Sequence, residues 1–307
     1  MAASPSPSPG PSFRFRRLGK PEEFRQLEEL DRLATGPGAP GVAPVSLQRA
    51  VQDNGGLVLG AFVDIHLVGA SLSFLGWDGR RLYQYTHLLA VRPEYQNHRV
   101  AYRLQGYLRE EAIAMGIDEV RWTIDPLQSK AARLSIRSLG AHPTSYYPHY
   151  FGRQDLPAPE GTETDRLLVV WPIQEPRVAE RLGGTLPSGD DDRARWSGAS
   201  AIVTTEPGES GIRIPTEVAE PTGPTAHLEI PFDLALVREH EPAALRTWRH
   251  AVRDAFRAAY DLGYVVDDFA VVRADHERRS FYLLRHPPPG GPGAPAGSGG
   301  GGPAPSR

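Results

Sequence analysis

The sequence predicts an α/β fold, and three observations predict it. From Leu82 to Gly116 an alternating apolar run, a short turn and an amphipathic run follow one another as strand, turn and helix. Over Ser12 to Gln174 the apolar period switches between two and 3.6 residues in the order βααβββαβαββ. Finally, 40% of the 307 residues are apolar, enough to build a core.

The elements follow in order. Phe13 and Phe15 alternate with Arg14 and Arg16 as a first strand. Pro21 opens a helix to about Leu33, with Phe24, Leu27, Leu30 and Leu33 on one stripe. Ser46 is placed as the N-cap of a second helix that ends at Asn54-Gly55-Gly56. Leu57 to Val63 and Leu67 to Phe74 read as strands joined by a tight turn, and the strand Leu82 to Val91 follows. The central helix starts near Arg99 and runs to Met115. After the strand Glu119 to Ile124, Asp125-Pro126 reads as an N-cap with Pro at the first helical position, opening a helix to Leu139. Thr144 to Phe151 and Arg166 to Ile173 complete the set.

Residues 1–11 and 287–307 read as disordered tails, being Ser, Pro and Gly with little to bury. Residues 12–174 form the main domain, 175–200 a linker and 201–286 a smaller C-terminal α/β region. That region has short strands near Ile212 to Ile214 and His227 to Ile230. A helix then runs from Ala243 to Leu262, and a hairpin closes with Tyr264 to Arg273 and Ser280 to Arg285. On the helix, Arg246, His250, Arg253 and Arg257 share a stripe that either grips an anion or pairs with nearby acids.

Bulk properties exclude several classes. A net charge of −3 argues against a general nucleic-acid binder. No cysteine means no disulfide, zinc thiolate site or thiol nucleophile, and no metal is expected. No apolar run reaches a membrane span, and no apolar signal core precedes the domain, so a cytoplasmic protein is the default.

The turn Gln96-Asn97-His98-Arg99-Val100-Ala101 brings two basic side chains to the start of a long helix. A strand, a turn and a helix N-terminus present backbone N–H groups to an anion of phosphate size. On the approach, Leu89, Val91, Pro93 and Tyr95 alternate. The later helix carries Ser129, Ala132, Ile136, Gly140 and Ala141 at fixed offsets.

This order, with this turn at its centre, resembles the GNAT superfamily of acyl-CoA-dependent N-acyltransferases, and among them acetyltransferases with a C-terminal extension. Gln96 and Ala101 match the family turn Gln/Arg-x-x-Gly-x-Gly/Ala, with Arg99 in place of the central Gly. Ala132 and Gly140 match the second pattern, while Ser129, Ile136 and Ala141 stand where Asn, Tyr and Phe are usual. The resemblance implies a mixed sheet splayed at its middle and flanked by helices, with acetyl-CoA or another acyl-CoA in the splay. It implies cofactor contacts at Leu89, Val91, Gln96, Asn97, His98, Arg99, Val100, Ala101 and Ser129. Arg99 either swings outward to pair with a CoA phosphate or fills the cradle.

For the chemistry, the resemblance carries the role of base to His87, which shares strand parity with Tyr85, Leu89 and Val91. Tyr147 or Tyr146 is the candidate acid, since Ile136 occupies the family tyrosine's place; a structural packing role is the alternative. Asp125 either binds the substrate amine or only caps a helix. The implied activity is direct acyl transfer to a small-molecule amine. The alternative is a non-catalytic acyl-CoA-binding or interaction module on the same fold. The C-terminal region completes the pocket, covers it or mediates a homodimer. Within it, Tyr260 to Gly263 echoes the second family pattern, which raises a degenerate half-repeat.

Overall fold

Alternating Phe and Arg residues lay down β1 (Arg14–Arg17), which runs antiparallel to β2 (Leu57–Val63) and puts Phe15 opposite Ala61. The structure, a computed structural model, describes residues 11–35, 43–152, 163–184, 196–274 and 277–287. The expected tails at 1–10 and 288–307 therefore lie outside the described residues. The fold is mixed α/β, as the sequence predicts, with a further C-terminal α/β region. The chain divides into two units, 1–120 and 121–307.

In the first unit, β1, β2, β3 (His66–Trp77) and β4 (Leu82–Val91) lie side by side in that order. Helix α1 (Pro21–Thr35) buries Phe24, Leu27 and Leu30 against them, with Leu18, Phe62, Leu67 and Leu72 in the same cluster. Leu33, expected on that stripe, is exposed. Helix α2 (Val45–Asp53) starts two residues earlier than expected. Pro44 holds its N-cap position, and Ser46 sits inside the first turn rather than capping it. Helix α3 (Val100–Ala114) buries Val100, Leu104, Leu108 and Ala112. A Cβ at Gly69 would meet Val100 Cγ1 at 2.8 Å, so this glycine is what lets α3 seat its first turn on β3.

A carboxylate fastens the front of this unit. Glu23 accepts two bonds from the Arg16 guanidinium, at 2.8 and 2.9 Å, and further bonds from the Gly19 and Lys20 N–H groups. The Lys20 bond is the return half of a capping box at the start of α1. Arg16, seconded by these N–H groups, holds the Glu23 carboxyl down at about 2.

The second unit opens from β5 (Glu119–Ile124), which crosses the division. Here β5, β7 (Arg166–Pro172) and β6 (His142–Tyr147) lie in that order. The helix expected from Pro126 begins later. Asp125 accepts from the Leu127 N–H as a turn residue, α4 (Ser129–Ala132) follows, and π-type turns continue over Arg133–Ser138. β6 ends at Tyr147 rather than Phe151, because the chain turns at His149, whose φ is +50°. The stretch 175–200, expected as a linker, carries helix α5 (Pro176–Leu182) and the two-residue β8 (Ser200–Ala201). Residues 185–195 of it lie outside the described residues.

The C-terminal region adds a hairpin of β9 (Val203–Pro207) and β10 (Arg213–Val218). A sheet of β11 (Thr225–Ile230), β12 (Val265–Ala274) and β13 (Glu277–Arg285) follows, ordered β12-β13-β11-β8. Helix α6 (Leu234–His240), not expected from the sequence, is capped by Asp233. Helix α7 (Ala244–Asp261) buries Leu245, Trp248, Val252, Phe256 and Ala259. The fully buried Asp268 accepts from Arg137 and Arg181, at 2.7 and 2.8 Å, and so ties β12 to the π-type turns and to α5.

Because the folded carboxyl of Glu23 lies below its ordinary value, its contribution is complete above pH about 4.5 and is lost as pH falls toward 2. Glu23→Gln is expected to lower unfolding free energy at pH 7 by about 2 kcal/mol, with the deficit narrowing toward pH 3. Urea unfolding at the two pH values checks this.

Candidate functional site

The first unit places the phosphate-turn candidates together. β4 ends at Val91, Arg92 donates to the Leu67 carbonyl at 3.0 Å, and a single 3₁₀ turn, Pro93–Tyr95, delivers the chain to Gln96. Asn97 and Arg99 then take left-handed backbone, φ +69° and +58°, before α3 begins. Alternation of left-handed residues at a helix start turns successive N–H groups to one side, as an anion-binding nest does. No side chain caps the Arg99 position. The Arg99 side chain thus leaves the start of α3 uncapped, at the positive end of a 15-residue helix dipole.

The geometry also explains the missing glycine. The position needs φ above zero, which Gly takes freely and Arg takes at a cost of about 1 kcal/mol. The Arg99 guanidinium does not fold back into the turn. It lies over the Tyr102 ring, 4.5 Å from its centroid, one turn along the helix. Arg103 is held likewise over Phe15 at 4.5 Å, and the His98 ring leans on Phe13 at 6.1 Å. Three basic side chains are thereby stationed around the turn on aromatic supports. Phe13, Phe15, Tyr102 and Arg103 escaped the sequence reading. They belong to no turn motif, and only the i, i+3 and i, i+4 spacing from Arg99 hinted at Tyr102 and Arg103.

His87 stands on β4 at an irregularity. Leu72 pairs with Leu88 but Ser73 pairs with Thr86, so His87 is the extra residue of a β-bulge. Its exposed ring lies 6.4 Å from that of Phe74, with Tyr85 on the same face. Leu89 and Val91 follow in register with Ser71 and Gly69.

The remaining candidates lie in the second unit. Asp125 is engaged by Arg249 of α7 through two bonds, 2.6 and 3.1 Å. Its negative charge is therefore compensated by a guanidinium that is itself 3% exposed. Tyr146 donates to Asp165 at 2.6 Å, and Arg253 chelates the same carboxylate at 2.8 and 2.9 Å. Burial, seconded by the Asp165 carboxylate, pushes the Tyr146 phenol far above its ordinary value. Tyr147 is exposed, with its ring 5.6 Å from that of Tyr150. Ser129 is buried and shares a 2.8 Å hydrogen bond with Ser280. Ile136 is fully buried. Of the basic stripe on α7, Arg253 is thus an ion-pair partner, and His250 lies 3.7 Å from Glu163.

Residues 23–140 match the acetyltransferase (GNAT) family. The match spans the first-unit turn and reaches Gly140, and the family is the one the turn resembles in the sequence. Among curated proteins none matches the chain. Solved structures similar to it include the ribosomal-protein-S18-alanine N-acetyltransferase of Escherichia coli, at 15% identity and a TM-score of 0.42. That similarity covers 53% of this chain and 96% of that one. An aminoglycoside 6′-acetyltransferase type Ii is similar at 18% identity and a TM-score of 0.43, covering 53% and 98%. Arabidopsis thaliana NAA60, solved with a bisubstrate analogue, is similar at 16% identity and a TM-score of 0.42, covering 52% and 97%. Among the described residues of the GNAT segment and beyond it, no group of three or more His, Asp or Glu side chains gathers to hold a metal ion, and no helix is long and apolar enough to cross a membrane.

Replacing Arg99 by Gly tests the two halves of this description separately. The left-handed strain disappears, so the unfolding midpoint is expected to rise, by about 1 kcal/mol or less in free energy. The guanidinium disappears too, so affinity for a phosphate-bearing anion, probed with inorganic pyrophosphate, is expected to fall about tenfold. Denaturant unfolding and calorimetric titration of the variant check both signs.

Proposed function

We propose that this protein is an acyl-CoA-dependent N-acyltransferase, with acetyl-CoA as the favoured donor and a small-molecule amine as acceptor. The observation that carries this reading is the paired left-handed turn at Asn97 and Arg99, ahead of a helix with no side-chain cap. The diphosphate of coenzyme A fits such a turn, because phosphate oxygens accept from the backbone N–H groups at a helix start. Gln96, His98, Val100 and Ala101 complete the cradle, and Arg99, swung onto Tyr102, stands beside it as a counter-charge. Leu89 and Val91 line the approach on β4, and Ser129 is a further candidate contact.

Acyl transfer needs the ammonium to lose a proton and the thioester carbonyl to be polarised. In this reading His87 takes the proton. The bulge carries its imidazole out of the ladder register, to an exposed place where an amine can approach. A backbone N–H near Leu89 to Val91 polarises the carbonyl. The thiolate leaves without a dedicated acid, or with a proton from Tyr147. Asp125 keeps its candidacy as an acceptor-end residue, but as one half of an ion pair with Arg249. It offers an ammonium less than a free carboxylate would.

One observation favours a second reading, an acyl-CoA-binding module without turnover. The fully buried Ile136 stands where the family has a catalytic tyrosine.

Titration with acetyl-CoA is expected to release heat and raise the melting temperature, and the absence of both at millimolar ligand would overturn the proposal. Release of free thiol across a panel of amines separates enzyme from module. His87→Ala is expected to lower kcat roughly a hundredfold while leaving acetyl-CoA affinity unchanged; unaltered turnover would remove His87 from the mechanism.

A further inference from the structure

The C-terminal region repeats the build of the β5–β7 segment. Strand order is β5-β7-β6 in one and β11-β13-β12 in the other, so in each the last strand inserts between the first two. A glycine of positive φ ends the helical part in each, Gly140 at +74° and Gly263 at +81°. The ladder register then slips at the same place. Thr144 is skipped against β7, four residues after Gly140, and Asp267 is skipped against β13, four residues after Gly263. Beyond the first strand of each, an aspartate accepts from the N–H two residues on, Asp125 from Leu127 and Asp233 from Ala235. In the second copy β11 pairs in parallel with β8 on one side and antiparallel with β13 on the other.

Past its carboxyl end β11 turns at Pro231 to Asp233 into α6. The protein has a cleft there, of ≈ 240 Å³, just past Ile230. Its apolar wall is Ile212, Phe232, Leu236 and the edge of the buried Trp248. Its floor is a closed ion cluster. Glu229, 2% exposed, accepts bonds from Arg279 and Thr205 and lies 3.8 Å from Arg213. Two guanidiniums thus face one buried carboxylate. At the rim Glu277 lies 3.8 Å from Arg213, and the Asp233 carboxylate accepts the α6 cap bond. Arg278, exposed, lies over the Phe232 ring at 5.6 Å. It is a cation poised at the mouth of an apolar slot.

We propose that this cleft is a second ligand site, for a small monocarboxylate with an apolar body. The body packs between Phe232, Leu236 and Trp248, and the carboxylate meets the Arg278 guanidinium. The site is separate from the coenzyme turn and does not depend on the acyltransferase reading.

The test is calorimetric titration of the full-length protein with 4-phenylbutyrate, its neutral amide, and 4-phenylbutylamine. Tryptophan emission is followed in parallel, with Trp248→Phe as the reporter control. The carboxylate is expected to bind, with an emission change that Trp248→Phe abolishes. Arg278→Gln, at an exposed position that leaves folding intact, is expected to weaken binding about tenfold, and Phe232→Ala to weaken it similarly. The proposal is overturned if no probe binds at millimolar concentration, if the amide or the amine binds as tightly as the acid, or if Arg278→Gln leaves affinity unchanged.

Discussion

Left-handed backbone at Asn97 and Arg99 is the constraint from which the candidate site follows. β4 ends at Val91 and a single 3₁₀ turn follows, and this backbone then carries the chain into α3. The Arg99 side chain makes no cap bond to the first turn of the helix. Two neighbours make the turn tolerable. Gly69 gives Val100 room to reach the sheet, and Tyr102 gives the Arg99 side chain a surface to rest on. A residue ill suited to its dihedral thereby keeps its charge beside the turn. In the proposed reading, that places strain where binding would use it.

In the second unit, chelated ion pairs are added to an apolar core that includes Trp171, Trp248 and Phe256. Helix α7 sends Arg249 to Asp125 and Arg253 to Asp165, and each pair is chelated rather than single-point. Buried ion pairs of this kind add little net stability over an apolar isostere, but they penalise any arrangement that separates the partners. Their effect here is to fix which acid meets which helix turn. The same logic shapes the floor of the C-terminal cleft, where Glu229 is shared by Thr205, Arg213 and Arg279.

Much of the fold was legible because period and punctuation agreed. Pro21, the glycines at 116 and 140, and the alternation in Leu82–Val91 each fixed an element to within a residue or two. The misses were of another kind. Ser46 reads as a cap from its residue type, and Asp125 from its type with Pro126 behind it, whereas Pro44 and the later Gln128 hold those places. The turn at Asp125 shows why: an Asp that bonds its own chain two residues on looks, in sequence, like one that caps a helix. The site was legible only along the chain. Gln96 to Ala101 is contiguous, so its pattern survives in one dimension. Arg249 opposite Asp125, or Phe15 beneath Arg103, joins residues far apart in sequence, and no local spacing encodes such a meeting.

The Asp268 carboxylate has a bearing on how such a protein can be dissected or rearranged. It sits in the interior beyond residue 260, yet it neutralises Arg137, which lies inside the stretch that matches the family, and Arg181 on α5. A chain cut at the family boundary would strip buried Arg137 of that counter-ion. The C-terminal end of the matching stretch is therefore not a boundary in the ion-pair network. Grafting, shuffling or trimming along it parts a buried cation from its anion.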